Sequence, residues 1–172
     1  RWYKDPWYCN ARSGMAYYNA ISPEKRDNVL YQHSGYSHFV WHMIPRGACA
    51  DGYRDVRKNV DKASKRWPFK LKNIEHLDIG WYGLGHSAIR YSDLEYVLTK
   101  SMGWDGSMGV SGALKVIEAN LRKHEILEMV GNYEKLRFSG YFSDEVKEKL
   151  RKPYTDKRHL LEVSKDKWEF VQ

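Results

Sequence analysis

The chain has 172 residues, of which 42% are hydrophobic and 30% charged, and its net charge is +7. This composition is typical of a globular protein with a real core, and no apolar run approaches the roughly 20 residues that a membrane-spanning helix needs. We therefore expect no membrane partner. Because the sequence opens on Arg1 within a patterned stretch, we expect it to be a segment of a longer protein.

Positive charge is concentrated in residues 54–72, where eight Lys or Arg stand against two Asp. A second basic stretch covers residues 147–158. Such runs are typical either of a solvated helix face or of a surface that attracts a polyanion, for example an acidic polysaccharide.

The first predicted elements are a helix and a strand. Ser22 and Pro23 are a typical N-cap and first helical residue, and the helix is expected to reach about Gln32. Residues 38–44 then alternate as a strand that places His42 on the face opposite Trp41. A loop is expected at residues 45–47.

A second helix and strand follow. Residues 54–67 predict a helix with an apolar stripe, ended by Pro68. Its stripe consists of Val56, Val60, Ala63 and Trp67. Residues 74–82 alternate as a strand. One predicted face holds Leu77, Ile79 and Trp81, and the other holds His76, Asp78 and Gly80.

The C-terminal part is predicted to be mainly helical. Ser92 and Glu95 form a capping box that opens a helix ending at Gly103. A short strand over residues 105–110 and helices over 113–120, 122–138 and 143–150 come next. The inward residues predicted for the longest of these are Ile126, Leu127, Val130 and Tyr133. Apolar runs at 160–163 and 168–171 predict a hairpin.

Strands and helices alternate from residue 36 to residue 138, which predicts an α/β fold with parallel strands. Three such units are too few for a (β/α)8 barrel of about 250 residues. We therefore expect the C-terminal portion of a barrel over residues 1–158, and the start of a β-sandwich over residues 159–172. The missing N-terminal part of the barrel is expected upstream in the same gene or in a second chain.

Candidate site residues come from the expected strand ends, where barrel enzymes hold their catalytic groups. A buried carboxylate at Asp78 costs free energy unless it is paired or catalytic. Asp78 is therefore either a functional carboxylate or a structural one that holds a neighbouring loop or Arg. His42 fits a general base as well as a core histidine. Asp105 and, less clearly, Asp51 complete the candidate carboxylates. The candidate substrate-binding residues are Arg46, Trp81, Tyr82, Trp104, Tyr36 and His86.

Several kinds of site are excluded by spacing. His38 and His42 would stand about 13 Å apart on a strand, too far for one metal ion, so no metal is expected. The sequence holds no phosphate-loop or nucleophile-elbow motif, and no cofactor is predicted. Cys9 and Cys49 lack zinc-ligand spacing, and one disulfide and two separate thiols both remain open. No nucleic-acid-binding motif accompanies the basic stretches, so no nucleic-acid partner is expected.

Four stretches carry a resemblance: HSGYSHFVWHMIPRGACADGY, LDIGWYGLG, DLEYVLTKSMGWDGSMGVSG and KHEILEMVGNYEKLRFSGYF. In this order they resemble the closing part of TIM-barrel, glycoside-hydrolase-like proteins of polysaccharide-degrading bacteria, over about residues 28–172. The resemblance implies a β-sandwich after the barrel. It places Asp78, Trp81 and Tyr82 at the seventh strand's rim and Trp104 and Asp105 near the eighth. The Asp-Gly-Ser-Glu motif of the relatives is lacking here, which indicates upstream catalytic carboxylates.

The function expected from these observations is that of a carbohydrate-active enzyme, a glycoside hydrolase or part of one. Its substrate would be a polysaccharide or oligosaccharide, and the basic stretches with Arg46 favour an acidic or sulfated one. The alternatives are a polysaccharide lyase, with His42 or a Tyr abstracting a proton, and a non-catalytic carbohydrate-binding protein. We favour a periplasmic or secreted location.

Overall fold

The computed structural model describes residues 5–26, 28–29, 32–33, 46–47, 50, 55–68, 76–84, 89–154 and 158–171. The helices are α1 Pro6–Ala20, α2 Pro23–Arg26, α3 Val56–Ser64, α4 Tyr91–Trp104, α5 Leu114–Ala119, α6 Lys123–Phe138 and α7 Asp144–Arg151. The strands are β1 Gln32–His33, β2 Arg46–Gly47, β3 His76–Gly83, β4 Ser107–Ser111, β5 His159–Ser164 and β6 Lys167–Val171. In the described part of the chain, no helix combines the length and apolar character that crossing a bilayer requires.

The first four strands form one parallel sheet in the order β1-β2-β3-β4. Helix α3 connects β2 to β3 and helix α4 connects β3 to β4, so successive parallel strands are joined through helices. The chain is therefore mixed α/β, as predicted. The described strands form no closed barrel, and the barrel portion stays a prediction.

One apolar core lies between the sheet and the helices. Strand β3 contributes Leu77 and Ile79, and the predicted stripe contributes Val60 of α3 and Trp67, all buried. Helix α3 ends at Ser64 rather than at residue 67 as predicted, so Trp67 lies beyond its end. Helix α4 packs against α3, α6, α7 and the sheet. From residue 94 to residue 103 every residue of α4 is buried, as expected for a helix with neighbours on all sides.

The polar residues of α4 are buried with partners from distant segments. Lys100 is fully buried, and its ammonium group donates to the backbone carbonyls of Arg151 and Lys152 and lies 3.4 Å from the Asp61 carboxylate. Asp61 also accepts a hydrogen bond from the Tyr96 hydroxyl at 2.7 Å. This network ties α3, α4 and the end of α7 together.

The C-terminal hairpin β5–β6 is antiparallel, as predicted, and it packs on the helices. The Phe170 ring lies 5.1 Å from Phe142 and 6.0 Å from Tyr133, centroid to centroid. His159 on β5 contacts the buried Glu95 carboxylate at 2.8 Å. The division into domains at residue 159 stays a prediction, but the hairpin shares contacts with the core of the preceding residues.

The structure corrects the N-terminal predictions. Residues 6–20 form α1, a helix that the sequence did not predict, and the helix beginning at Pro23 ends at Arg26 rather than near Gln32, which lies in β1. The predicted strand over residues 38–44 lies outside the described residues. Arg46 and Gly47 form β2 rather than a loop. Cys9 is exposed on α1, and Cys49 lies outside the described residues, so their pairing stays open.

Three details of the helices also differ from the predictions. The capping box is wrong, because α4 begins at Tyr91 and has no side-chain cap, and Glu95 instead binds His159. Gly103 does not end the helix. It lies inside α4, where Leu150 and Arg151 of α7 approach closely. On α6, Ile126 and Tyr133 are buried as predicted, whereas Leu127 is exposed and Met129 is buried in its place.

Candidate functional site

A bulge in β3 determines which side chains reach the surface of the sheet. Asp78 lies opposite Ser107 and Trp81 lies opposite Gly109, so β3 advances by one more residue than β4 over this interval. Gly80 within it has φ 124°, a conformation that residues with a Cβ rarely adopt. The Gly80 N–H donates to the Asp78 carboxylate at 3.0 Å. The bulge is therefore stabilised by the hydrogen bond to the Asp78 side chain and made possible by the positive φ that glycine tolerates.

The bulge reverses the predicted alternation after Gly80. Leu77 and Ile79 are buried against the helices as predicted, but Trp81 does not join them: its side chain is 54% exposed. Tyr82 is buried instead, at 2% exposure, and its hydroxyl donates to the Ala50 carbonyl at 3.5 Å. The prediction that Trp81 shares a face with Leu77 and Ile79 is wrong, because one inserted residue exchanges the two faces. Tyr82 in turn offers no surface to a ligand.

Asp78 and Trp81 line one cleft on β3 and β4, which we call the sheet cleft. Its volume is about 450 Å³. The lining residues are Asp78, Trp81, Ser107, Met108, Gly109, Val110, Ser111 and Gly112. Two candidate residues that the sequence placed on opposite faces of β3 are thus brought to one site. The larger groove of about 700 Å³, between α7 and β6, contains no predicted site residue.

Gly109 leaves the Trp81 indole uncovered. A Cβ at Gly109 would lie 3.7 Å, 3.8 Å and 4.0 Å from Cδ1, Cγ and Nε1 of Trp81, which is ordinary van der Waals contact. Gly109 lacks the positive φ that requires glycine. Neither backbone conformation nor crowding therefore demands a glycine here. Its effect is that no side chain at this position contacts the pyrrole part of the ring.

The chemistry of the sheet cleft is that of a binding surface for polyhydroxylated molecules. An exposed indole offers a flat apolar platform, the Asp78 carboxylate accepts hydrogen bonds, and Ser107 and Ser111 carry hydroxyls. Ser107, Gly109 and Ser111 share one face of β4, because side chains two apart in a strand point the same way. None of these β4 residues is among the site residues predicted from the sequence. The sequence feature that could have indicated them is the alternation of small and larger residues over 107–111.

Asp105 and Trp104 do not belong to this cleft. Asp105 precedes β4, at the edge where the parallel strands begin, and its φ of 55° ends α4. Its carboxylate lies 3.8 Å from Arg137 and 4.0 Å from Lys147. Asp105 thus stands before β4 rather than at its C-terminal end and does not line the sheet cleft, and its catalytic role stays a prediction.

Trp104 is half-buried and packs against the core. Its ring packs edge-on against Trp67 with centroids 5.7 Å apart, and the Arg151 guanidinium lies 5.0 Å from its centroid. Its indole N–H is buried and has no hydrogen-bond partner among the described residues. Trp67 and Arg151 thus contact the Trp104 ring, which does not line the sheet cleft, and its role in substrate binding stays a prediction.

The other candidates cannot be placed in the site. His42, Tyr36, His86 and Asp51 lie outside the described residues. Arg46 lies in β2, opposite His76. Within the described ranges, no group of three or more His, Cys, Asp or Glu residues is arranged to hold a metal ion.

Comparisons of the chain with known protein families, with characterised proteins and with solved structures give no match. The chemistry of the sheet cleft is therefore argued from its own residues.

Proposed function

We propose that the sheet cleft binds a carbohydrate, and that the chain is part of a glycoside-hydrolase-like enzyme built on a (β/α) barrel. The observation that carries the proposal is the exposed Trp81 ring beside the Asp78 carboxylate in one cleft. Sugar rings present C–H groups on one face and hydroxyls at their edges, and this cleft offers a partner for each.

Asp78 has the position expected of a substrate-binding or catalytic carboxylate. It is 2% exposed, yet it lines the cleft and is held by the Gly80 N–H. Glycoside hydrolysis requires two carboxyl groups flanking the scissile bond. Of the described lining residues, Asp78 alone carries a carboxyl group. In a hydrolase the second group would come from a residue outside this lining.

The single carboxyl group among the described lining residues favours the second candidate function, a non-catalytic carbohydrate-binding protein. Such a protein needs the aromatic platform and the hydrogen-bonding groups, and it needs no carboxylate pair. The two candidates share the binding site and differ only in whether a bound saccharide is cleaved.

Binding is tested by titrating the 172-residue chain with cello-, xylo-, galacto- and galacturono-oligosaccharides and following heat and Trp fluorescence. We expect at least one of them to bind, and Trp81→Ala to weaken that binding about tenfold or more, equivalent to about 1.4 kcal/mol. Tyr17→Ala is the matched control, because Tyr17 is 72% exposed on α1. Saccharide binding that is equally strong in Trp81→Ala would contradict the proposed site.

Cleavage is tested separately with Asp78→Asn. Asn keeps an oxygen that accepts from the Gly80 N–H, so the bulge is retained while the charge is lost. Loss of hydrolysis with retained binding in this variant supports the hydrolase. Binding without hydrolysis by the unaltered chain favours the non-catalytic protein.

A further inference from the structure

The groove between α7 and β6, which we call the β6 groove, follows the backbone edge of a strand. Its volume is about 700 Å³. Helix α7 lines it with Val146, Lys149 and Leu150, and strand β6 lines it with the four consecutive residues 168–171. Because consecutive side chains of a strand point to opposite faces, a groove lined by four of them in a row runs along the edge of β6 rather than over one face.

The pairing of β6 with β5 determines which backbone groups face this edge. The Trp168 N–H donates to the hydroxyl of Tyr141, which does not belong to β5, at 2.9 Å. In an antiparallel pair, residues that exchange backbone hydrogen bonds with the neighbouring strand alternate with residues whose N–H and C=O point outward. Trp168 is therefore an outward residue, Glu169 pairs inward with Leu161, and Phe170 points outward again.

The two outward residues differ in their hydrogen-bond partners. The Tyr141 hydroxyl accepts from Trp168 and donates to the Asp166 carbonyl at 3.5 Å, so the chain itself closes the end of the edge beside the hairpin turn. The outward N–H and C=O of Phe170 have no hydrogen-bond partner in the part of the chain that the structure describes. A strand edge with such groups is a template for a further strand.

The wall opposite the edge is apolar. Phe142 and Leu150 belong to the core, Val146 packs against it, and all three line the β6 groove. A strand inserted beside Phe170 would turn every second side chain toward this wall. Apolar side chains at these positions would be removed from water, which favours binding.

We infer that the β6 groove binds an extended peptide segment of a partner protein, as a third strand antiparallel to β6. Antiparallel pairing lets a single residue of the segment exchange both backbone hydrogen bonds with Phe170. The side chain of that residue lies on the same face as Phe170 and packs on Val146 and Leu150. The segment therefore has apolar residues at alternate positions.

The assignment to a partner protein follows from the sheet topology. Strands β1–β4 form the parallel sheet and β5 occupies the other edge of β6, so each described strand is already paired. A volume of about 700 Å³ suits a few residues of extended chain rather than a folded second copy with its own α7. The β6 groove and the sheet cleft share no described lining residue, so this inference is independent of carbohydrate binding.

The test uses peptides that differ in the position of backbone methyl groups. Capped eight-residue peptides alternate Val, Leu or Phe with Thr or Ser, and they are uncharged because the groove lining includes Lys149, Arg158 and Glu169. In one derivative the backbone nitrogens of the apolar residues are methylated, which removes the donors that would face Phe170. In the matched control the backbone nitrogens of the polar residues are methylated, which leaves those donors in place.

Binding to the 172-residue chain is followed by NMR amide shifts and by hydrogen exchange of the β6 amides. We expect at least one unmodified peptide to bind and to slow exchange of the Phe170 amide about tenfold or more at saturation. Methylation at the apolar positions is expected to weaken its binding about tenfold or more. Methylation at the polar positions should change its binding by no more than about twofold.

A pair of variants tests the apolar wall. Val146→Lys places a charge where the peptide side chains would pack and is expected to weaken binding several-fold. Val116→Lys is the matched control, because Val116 is 36% exposed on α5 and does not line the β6 groove. The methylated peptides are applied to the unaltered protein, so their result does not depend on the folding of either variant.

The outcomes are distinct. Binding that is lost on methylation of the apolar positions and kept on methylation of the polar ones supports the inference. Equal binding of the two methylated forms overturns it, since backbone pairing is then not used, and so does a lack of binding by every unmodified peptide. Protection of the Phe170 amide that grows with protein concentration without peptide, together with a dimer in sedimentation, assigns the edge to a second copy and overturns the partner assignment.

Discussion

The Asp78 carboxylate accepts a hydrogen bond from the Gly80 N–H at 3.0 Å, two residues further along the same strand. This contact closes the bulge that turns Trp81 outward and Tyr82 inward. Asp78 is thus both part of the cleft lining and the residue that positions the aromatic platform. The two roles are separable, because the amide oxygen of an Asn can accept the same bond.

Gly80→Ala is expected to destabilise the protein by about 1–3 kcal/mol, because its φ of 124° is strongly unfavourable for a residue with a Cβ. Relief of this strain would shift the register of β3 and move Trp81 from its place above Gly109. Urea unfolding measures the first effect, and the emission maximum of Trp fluorescence checks the second. An unchanged unfolding midpoint would show that the bulge does not depend on glycine.

Elements whose residues follow one simple period were predictable from the sequence. The apolar stripe of α3 and the hairpin signals at 160–163 and 168–171 are of this kind, and both agree with the structure. Helix α1 was missed because its aromatic residues form no such stripe: Tyr17, for example, is 72% exposed.

The site was predictable only in part. Asp78 and Trp81 were both named as candidates, but their meeting in one cleft depends on a register shift that alternation alone cannot show. Trp104 and Tyr82 were named as ligand platforms because Trp and Tyr are common in sugar sites. Tyr82 is buried and Trp104 is half-buried, and their contacts to Ala50 and Trp67 come from distant parts of the sequence.

Lys100 gives a prediction about pH. Burial lowers the pKa of its ammonium group from 10.5 to about 8, although the nearby Asp61 carboxylate acts in the opposite direction and Arg158 adds to the lowering. Between pH 8 and 10.5 the unfolded chain therefore binds more protons at this site than the folded one. The contribution of Lys100 to the free energy of unfolding therefore rises with pH across that window and is constant below it.

Lys100→Met removes this titration. The free energy of unfolding of the unaltered protein minus that of the variant is expected to grow as the pH is raised from 7 to 10. Urea unfolding at several pH values measures the difference. Lys149→Met is the control, since Lys149 is 67% exposed and pairs with Glu145 on the same helix turn. A difference that stays constant with pH, or that appears equally in the control, would refute the prediction.

Gly103→Ala tests the contact between α4 and α7. The added methyl group would lie 3.0 Å from the Arg151 backbone nitrogen and 3.0 Å from the Leu150 Cβ, so the helices must move apart. We expect a loss of about 1–3 kcal/mol from this overpacking. The same substitution at the open Gly131 is expected to stabilise α6 by up to about 1 kcal/mol. Equal effects at the two glycines would mean that helix propensity, and not the α4–α7 contact, determines the result.

Phe170→Ala tests whether the hairpin is the start of a separate domain or part of the same cooperative unit. Phe170 packs on Phe142 and Tyr133, which belong to the core. If the hairpin unfolds with that core, unfolding stays one single transition, and the variant lowers its free energy of unfolding by roughly 2–3 kcal/mol for a half-buried Phe. Leu161→Ala is the control on the same hairpin, at a side chain 50% exposed. Circular dichroism follows the helices, and hydrogen exchange follows the amides of β5 and β6. A hairpin that loses protection while the helical transition stays unchanged would establish the boundary at residue 159. A joint shift of both signals would extend the preceding domain to the end of β6, because the two then share one unfolding equilibrium.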